Sequence, residues 1–226
     1  MKNVFVIIFV FLFSINTVFA STGGEVEYDC PLCGTAFDYW VQFSFSIFGQ
    51  NLDFRRWGAA IIPSPIPKCP DCSFVFDNNL FTEAEIEILG TELSINNIFE
   101  NEPNMPNYFY LARQYEILSR DIVDIAWFFL NSVWENRNED RNTFLINTTI
   151  EYINRVPQTN EVFNNFQLIK LDLLRRSGQF FEANNLINAI MENKNLYTGF
   201  IVDIINLQRE LIENRNQEEH GMPDNR

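Results

Sequence analysis

Two matched cysteine pairs constrain this chain more than any other feature. Its four cysteines occur in Cys30-Pro31-Leu32-Cys33-Gly34 and Cys69-Pro70-Asp71-Cys72-Ser73, so both pairs have the spacing CPxC. Two sulfurs three residues apart can bind one tetrahedral metal ion, and a second pair completes a shell of four thiolates. The spacing predicts a zinc-ribbon-like module in which Cys30, Cys33, Cys69 and Cys72 bind one Zn²⁺, with sulfurs of different pairs roughly 4 Å apart.

The N-terminus has the pattern of a secretory signal peptide. Lys2 precedes an apolar run over 4–13, and Val18-Phe19-Ala20 forms a small-residue cleavage site before Ser21. The apolar run is too short for a comfortable membrane span. We therefore expect residues 1–20 to be removed and the protein to be exported, to a bacterial periplasm or outside the cell, without a stable membrane span after cleavage. An uncleaved N-terminal anchor that tethers the protein to the membrane is the alternative.

Export leaves two other interpretations of the cysteines open. An oxidising compartment favours structural disulfides, and four cysteines allow three pairings. A CPxC pair also resembles the redox pair of thioredoxin-like proteins. That motif should open a helix, whereas residues 35–48 after the first pair have the pattern of a strand. The paired spacing favours zinc over both alternatives.

The composition argues against two functional classes. The chain has 16 cationic and 30 acidic side chains, a formal net charge of −14, which becomes −15 when Lys2 is removed with the signal. Such an acidic surface repels phosphates, so a nucleic-acid partner is not expected. The single histidine, His220, lies in the C-terminal segment that is predicted to be disordered. Catalysis by a serine or cysteine nucleophile would therefore lack a positioned histidine base. We predict no catalytic residues and favour a non-enzymatic protein.

The patterning divides the mature chain into four segments. Residues 21–81 are predicted to form the β module, with an alternating strand from Phe37 to Ile47, a second strand over 52–57 and a short strand over 73–76. The aromatic side chains of the first strand are expected to form the core of this module. Residues 82–107 are a capped helix and linker, with Thr82 and Glu85 as a capping box and Gly90 at the helix end. Residues 108–214 form a helical domain, and residues 215–226 a disordered tail.

The helical domain shows period 3.6 over six stretches, which predicts an antiparallel array and an α+β, mainly α, fold class. Residues 171–183 resemble the turn of a tetratricopeptide (TPR) repeat, with Gly178 at the turn and Ala183 where the helices cross. Residues 108–134 are similar to an earlier copy that has Ser119 in place of the glycine. The array is therefore expected to be TPR-like and to bind a protein or peptide partner.

These motifs together resemble a bacterial domain-of-unknown-function family that joins a double-CPxC ribbon to TPR-like helices. The resemblance rests on both CPxC pairs, Leu52-Asp53-Phe54, Phe81 to Glu85, Ala126-Trp127 and Leu173 to Gly178, and it covers most of residues 28–192. It departs from the family pattern at Ser73 and in the signal peptide. The resemblance implies this architecture and a bound metal, and it implies no activity. The competing hypothesis from the residues is a thiol–disulfide oxidoreductase that uses one CPxC pair.

Overall fold

The described residues form two small antiparallel sheets followed by helices, which confirms the α+β, mainly α, class. The computed structural model describes residues 21–77, 80–96, 98–136, 138–192, 197 and 199–223. The predicted signal peptide, residues 1–20, lies outside the described residues. Within the part of the chain that is described, no helix combines the length and the apolar character that a membrane crossing requires.

The first cysteine pair forms the turn of a β-hairpin. Strand β1 (Thr22–Asp29) pairs antiparallel with β2 (Ala36–Ser44), and residues 30–35 connect them. The sequence analysis missed β1, although Val26 and Tyr28 alternate there with acidic residues. Because β1 pairs along β2, the first cysteine pair is fixed at one end of a two-stranded sheet.

The predicted long strand ends earlier than expected. Phe45 interrupts it, and β3 (Ser46–Gln50) then pairs with β4 (Arg56–Ala59). The predicted second strand over 52–57 is wrong in its first half, because Asn51 donates its N–H to the carbonyl of Arg55 (2.8 Å) and closes a turn. The predicted strand over 73–76 is reduced to one bridge between Lys68 and Val75.

The aromatic side chains of the predicted strand Phe37–Ile47 were expected to form the core of the module. This prediction is wrong for the second half of that strand. Phe37, Tyr39 and Val41 are half-buried, whereas Phe43 and Phe45 are 63% and 49% exposed. At the start of β2 this half-buried side lies against the cysteine cluster, where Phe37 packs edge-on against Phe76 with ring centroids 6.1 Å apart. Further along the strand, Tyr39 hydrogen-bonds with Asn107. Beyond Val41 the strand leaves this cluster.

Helix α1 (Glu83–Asn96) begins with the predicted capping box. Thr82 donates its N–H to Oε2 of Glu85 (2.9 Å), and Glu85 returns its N–H to Oγ1 of Thr82 (3.4 Å). The prediction that this helix ends at Gly90 is wrong, because the helix continues to Asn96. A Cβ at Gly90 would lie 2.7 Å from Cδ1 of Leu32, so the glycine allows α1 to approach the first cysteine turn closely. A short helix α2 (Ile98–Asn101) occupies part of the predicted linker.

Among the described residues six further helices follow, in the six stretches where the sequence predicts them. They are α3 (Asn107–Ile117), α4 (Ile122–Glu135), α5 (Glu139–Arg155), α6 (Phe163–Arg176), α7 (Phe180–Glu192) and α8 (Phe200–Glu213). Successive helices pack on one another, and α8 also contacts α6. Buried aromatic residues hold neighbouring helices together, as between Phe109 of α3 and Phe129 of α4, whose ring centroids are 5.5 Å apart.

The C-terminal segment is ordered against the protein up to residue 223, so the predicted disordered tail is wrong for residues 215–223. Leu52 donates its N–H to the carbonyl of His220 (3.0 Å), and Met222 donates its N–H to the carbonyl of Gln50 (2.8 Å). Glu219 also accepts hydrogen bonds from the side chains of Asn51 and Arg55. These contacts attach the end of the chain to the β3–β4 turn. Residues 224–226 lie outside the described residues.

Candidate metal centre

Both cysteine pairs lie in turns of the same local geometry. In the first turn, Gly34 donates its N–H to the carbonyl of Cys30 (2.8 Å), and Cys30 donates to the carbonyl of Thr35 (2.9 Å). In the second turn, Ser73 donates to the carbonyl of Cys69 (3.0 Å), and Cys69 donates to the carbonyl of Phe74 (2.9 Å). The turns therefore repeat the same two backbone hydrogen bonds at the same spacing.

The residue after each pair adopts a left-handed backbone conformation. Gly34 has φ +76° and Ser73 has φ +60°. Glycine has no Cβ and adopts such angles readily, whereas serine adopts them at a cost. This explains why the CPxC spacing is followed by glycine in the first turn, and it makes Ser73 the strained position of the second.

The two turns bring all four sulfurs together despite the 35 residues between the pairs. The Sγ atoms of Cys30 and Cys72 are 3.5 Å apart, those of Cys33 and Cys69 are 3.6 Å apart, and all four lie within 4.8 Å of one another. Sulfurs bound tetrahedrally to one zinc at about 2.3 Å are about 3.8 Å apart. The predicted convergence of the four cysteines is therefore confirmed, and the cluster has dimensions that can hold one metal ion.

One side of the cluster is buried and the other is open. Cys30 and Cys69 are 2% and 0% exposed, and they pack with an apolar group formed by Phe74, Phe76, Leu89 and Leu93. Cys33 is exposed, and Cys72 is half-buried. Helix α1, which carries Leu89 and Leu93, thus covers the inner side of the sulfurs.

A polar bridge joins the two turns at the open side. The Cys33 thiol donates to Oγ1 of Thr35 (3.3 Å), and that hydroxyl donates to Oδ2 of Asp71 (2.7 Å). Thr35 follows the first cysteine pair and Asp71 lies within the second. The bridge therefore links the two turns by side-chain hydrogen bonds as well as through the sulfur cluster.

The environment changes the thiol pKa values in opposite directions. Hydrogen bonding with the side chain of Thr35, and with its backbone, lowers the pKa of Cys33 to about 6. Burial raises the pKa of Cys30. Burial also raises the pKa of Cys72, and the backbone N–H of Phe74 opposes this rise. Thiolates are the form that binds a metal, and a bound cation would favour the charged form at the buried positions.

A second polar cluster attaches the β module to the helices, and the sequence analysis did not predict it. Oδ2 of Asp53, a fully buried residue, accepts hydrogen bonds from Arg176 (2.7 Å) and from Nε1 of Trp134 (3.0 Å). Nearby, Arg175 donates to Oδ1 of Asp172 (2.6 Å). Burial raises the pKa of Asp172 to about 6, and the neighbouring Arg175 opposes this rise.

The residues of this second cluster belong to two of the motifs named in the sequence analysis. Asp53 comes from Leu52-Asp53-Phe54, and both arginines come from Leu173 to Gly178. The sequence contained a signal for this pairing. Asp53 stands between two apolar residues in the β module, and Arg175 and Arg176 stand in the apolar stretch of a predicted helix. A buried charge needs a partner, so such residues are candidates for each other.

Comparisons of the chain with protein-family models, with curated protein sequences and with solved structures gave no match. The fold and the cluster thus define the class: an α+β, mainly α, protein in which four cysteines from two CPxC turns form a possible metal site.

Proposed function

We propose that this is an exported, non-enzymatic protein with a structural Zn²⁺ bound by Cys30, Cys33, Cys69 and Cys72, and with a helical array that binds a protein or peptide partner. The observation that carries the metal part is the convergence of four sulfurs within 4.8 Å. Four thiolates close the tetrahedral shell of zinc and leave no position for water or substrate. Such an ion holds two turns together and performs no reaction.

The structural zinc is tested by metal analysis combined with thiol counting. We expect elemental analysis of the protein, purified from the exported fraction without added metal, to give one zinc per chain. Mass spectrometry after alkylation under denaturing, chelating conditions should then find four free thiols. The double variant Cys30→Ser/Cys33→Ser should contain less than about a tenth of the zinc, because two ligands cannot hold the ion against competing chelators. Wild-type protein with no metal and four free thiols would contradict the proposal.

The same measurement separates zinc from the disulfide alternative. The closest sulfurs belong to different turns, Cys30 with Cys72 and Cys33 with Cys69. A disulfide-stapled protein would therefore show two bonds between the turns, no free thiols and no metal. In the structure all four cysteines are free thiols.

A thiol–disulfide oxidoreductase remains the second candidate function, and the exposed Cys33 is the observation that favours it. A reactive cysteine needs an accessible sulfur and a lowered pKa, and Cys33 has both. Insulin reduction by the metal-free protein tests this activity. Turnover that Cys33→Ser abolishes would favour the oxidoreductase, whereas absence of turnover in wild-type protein supports the structural site.

The TPR-like interpretation is supported at the turn between α6 and α7. Gly178 has φ +76°, and the N–H of Gln179 bonds to the carbonyl of Leu174 (2.9 Å), so α6 ends in a left-handed turn. Ala183, which is fully buried, lets α7 pack closely. At Ser119 the backbone also has a positive φ, +52°, and Arg120 donates to the carbonyl of Tyr115 (3.0 Å). Both turns thus end their helices alike, as the two proposed repeats require.

A groove beside α5, α6 and α7 supports peptide binding. Its volume is about 430 Å³, and it is lined by Ile150, Leu174 and Leu186 together with three amide side chains, Lys170 and Glu182. Apolar side chains and amides together suit an extended peptide with its unpaired backbone groups. Peptides selected from a random library on the wild-type protein should lose binding to Leu186→Asp and keep it to Ile88→Asp, an exposed apolar residue on α1. Equal loss in both variants would count against this groove.

A further inference from the structure

The groove beside α5, α6 and α7 contains a cation without an acidic partner. Lys170 lines the groove and donates to Oδ1 of Asn154 (2.7 Å), and it makes no ion pair with any residue that the structure describes. Burial lowers the pKa of its ammonium group. Because burial without a counter-ion is unfavourable for a charge, this position favours an anionic ligand.

Other cations that the fold buries in part are paired with acids of the chain. Arg113 binds Glu102 (2.9 Å), and Arg176 binds Asp53 (2.7 Å). The chain has 30 acidic side chains against 16 cationic ones, so a shortage of acids does not explain the unpaired Lys170. The groove thus leaves a positive charge open to a ligand in a protein whose net charge is −14.

The turn between α6 and α7 orders the groove into two levels. Lys170 lies eight positions before Gly178, and Leu186 lies eight positions after it. Leu174 and Glu182 lie four positions before and after the same glycine. Because α6 and α7 pack on each other through a short connection, they run antiparallel, and residues at equal separations from the turn lie side by side. The second pair therefore lies about 6 Å along the groove from the first, since four helical residues rise by that distance.

The side chains of α5 follow the same order. Asn154 accepts the hydrogen bond of Lys170 at the first level. Ile150, four positions earlier on the same face of α5, therefore lies toward the second level, beside Leu174. The first level thus offers an ammonium group and an amide. The second offers a buried apolar pair with the exposed Glu182 at its edge.

An extended peptide matches the spacing of the two levels. Successive residues of an extended chain advance by about 3.3 Å, and side chains two positions apart point to the same side. An acidic residue beside Lys170 therefore places the side chain two positions away beside Leu174. An apolar side chain fits at that second level, whereas an acid there would be repelled by Glu182.

We propose that the peptide partner of this groove carries an acidic side chain, Asp or Glu, that binds the ammonium group of Lys170, and an apolar residue two positions away that packs on Ile150 and Leu174. This inference rests on the proposed peptide groove and specifies the chemistry of its ligand. The peptide carboxylate supplies the counter-ion that Lys170 lacks. Glu182 disfavours the register in which the acid would lie at the apolar level.

Peptides selected from a random library on the full wild-type chain test this chemistry. We expect the peptides that lose binding to Leu186→Asp to share an Asp or Glu two positions from an apolar residue. Exchange of that acid for its amide should weaken binding about ten-fold, because a hydrogen bond to a charged group is lost. Lys170→Gln should weaken the acidic peptide by a similar factor and leave the amide peptide unchanged. Selection on Lys170→Glu should yield peptides with Lys or Arg at the same place.

A matched variant separates Lys170 from the charge of the chain as a whole. Arg209→Gln removes one cation from α8, outside the groove, and should leave the affinity for the acidic peptide unchanged. Equal weakening in Lys170→Gln and Arg209→Gln, or selected peptides without the acid, overturns this inference and leaves the groove in place. If amidation of the peptide C-terminus weakens binding and exchange of the acidic side chain does not, a terminal carboxylate is bound and the inference is also overturned. Peptides that Leu186→Asp binds as well as wild type does would contradict the groove itself, and the inference with it.

Discussion

At the scale of single residues, the two cysteine turns differ most at the position after each pair. A Cβ at Gly34 would meet nothing within 4 Å, so the cost of Gly34→Ala comes from its φ of +76° alone. We expect this variant to lower zinc affinity about five-fold, equivalent to about 1 kcal/mol of backbone strain. Ser73→Gly should raise the affinity by a similar factor. Competition with a chelator of known zinc affinity measures both.

Gly199 provides the control for this pair, because it has φ +58° and equally open surroundings but lies before α8. Gly199→Ala should cost at least as much free energy of folding, because a ψ of −132° at this φ is tolerated by little besides glycine, and it should leave zinc affinity unchanged. If Gly199→Ala weakens zinc as much as Gly34→Ala, the turn geometry does not control the site.

At the scale of elements, the C-terminal segment is held by a buried cation. Arg175, which is fully buried, donates to the carbonyls of Asn216 (2.7 Å) and Glu218 (2.8 Å) as well as to Asp172. Truncation after Arg215 should lower the free energy of unfolding by about 3 kcal/mol, because it removes two acceptors from a buried charge. Urea denaturation followed by circular dichroism measures this, with removal of residues 224–226 as the control. Equal stability of both truncations would mean that the docked segment contributes nothing.

Local sequence signals predicted the elements well. The spacing of the cysteines located the turns, period 3.6 located all six helices of the array, and Thr82 with Glu85 located the start of α1. Each of these signals involves residues a few positions apart, whose side chains meet whenever the local conformation forms. Such signals therefore predict local structure correctly even when the rest of the fold is unknown.

The errors arose where distant residues decide the outcome. Gly90 has the pattern of a helix end, but it serves a close approach of Leu32. The polar residues 215–223 have the composition of a disordered tail, but Arg175 and the β3–β4 turn bind their backbone. Asp53 and Arg176 are 123 positions apart. Neither period nor composition encodes such contacts, so they were visible only in the structure.

At the scale of the whole molecule, the two cysteine turns are attached to the helices unequally. After the second turn, Val75 lies in the main helical core, and the buried Gln114 amide can donate to its carbonyl (2.8 Å) and accept from its N–H (3.3 Å). The first turn contacts α1 through Leu32 and the small apolar group around Cys30. A metal ion at the four sulfurs would therefore add most to the stability of the first turn and its hairpin, β1–β2.

This asymmetry changes what loss of the metal should do. The sequence alone predicts that the whole β module unfolds without zinc, because a small module has little core of its own. The structure instead ties β3–β4 to the helices through Asp53, whose carboxylate binds Arg176 and Trp134. The part that depends on the metal should be smaller, and it should end near residue 44.

Hydrogen exchange of zinc-loaded and chelator-treated protein, both kept reduced, measures the extent of this dependence. A structural zinc contributes on the order of 10 kcal/mol of binding free energy, and that contribution is lost to the segments that only the ion holds. We expect peptides over 22–44 to lose protection, while peptides over 46–59 and over the helices from 107 to 213 keep it. Cys30→Ser/Cys33→Ser should reproduce the pattern without chelator. A uniform loss of protection across the chain would show that the protein unfolds as one cooperative unit. Unchanged protection over 22–44 would show that the hydrogen bonds linking Thr35 and Asp71 hold the turns together without an ion.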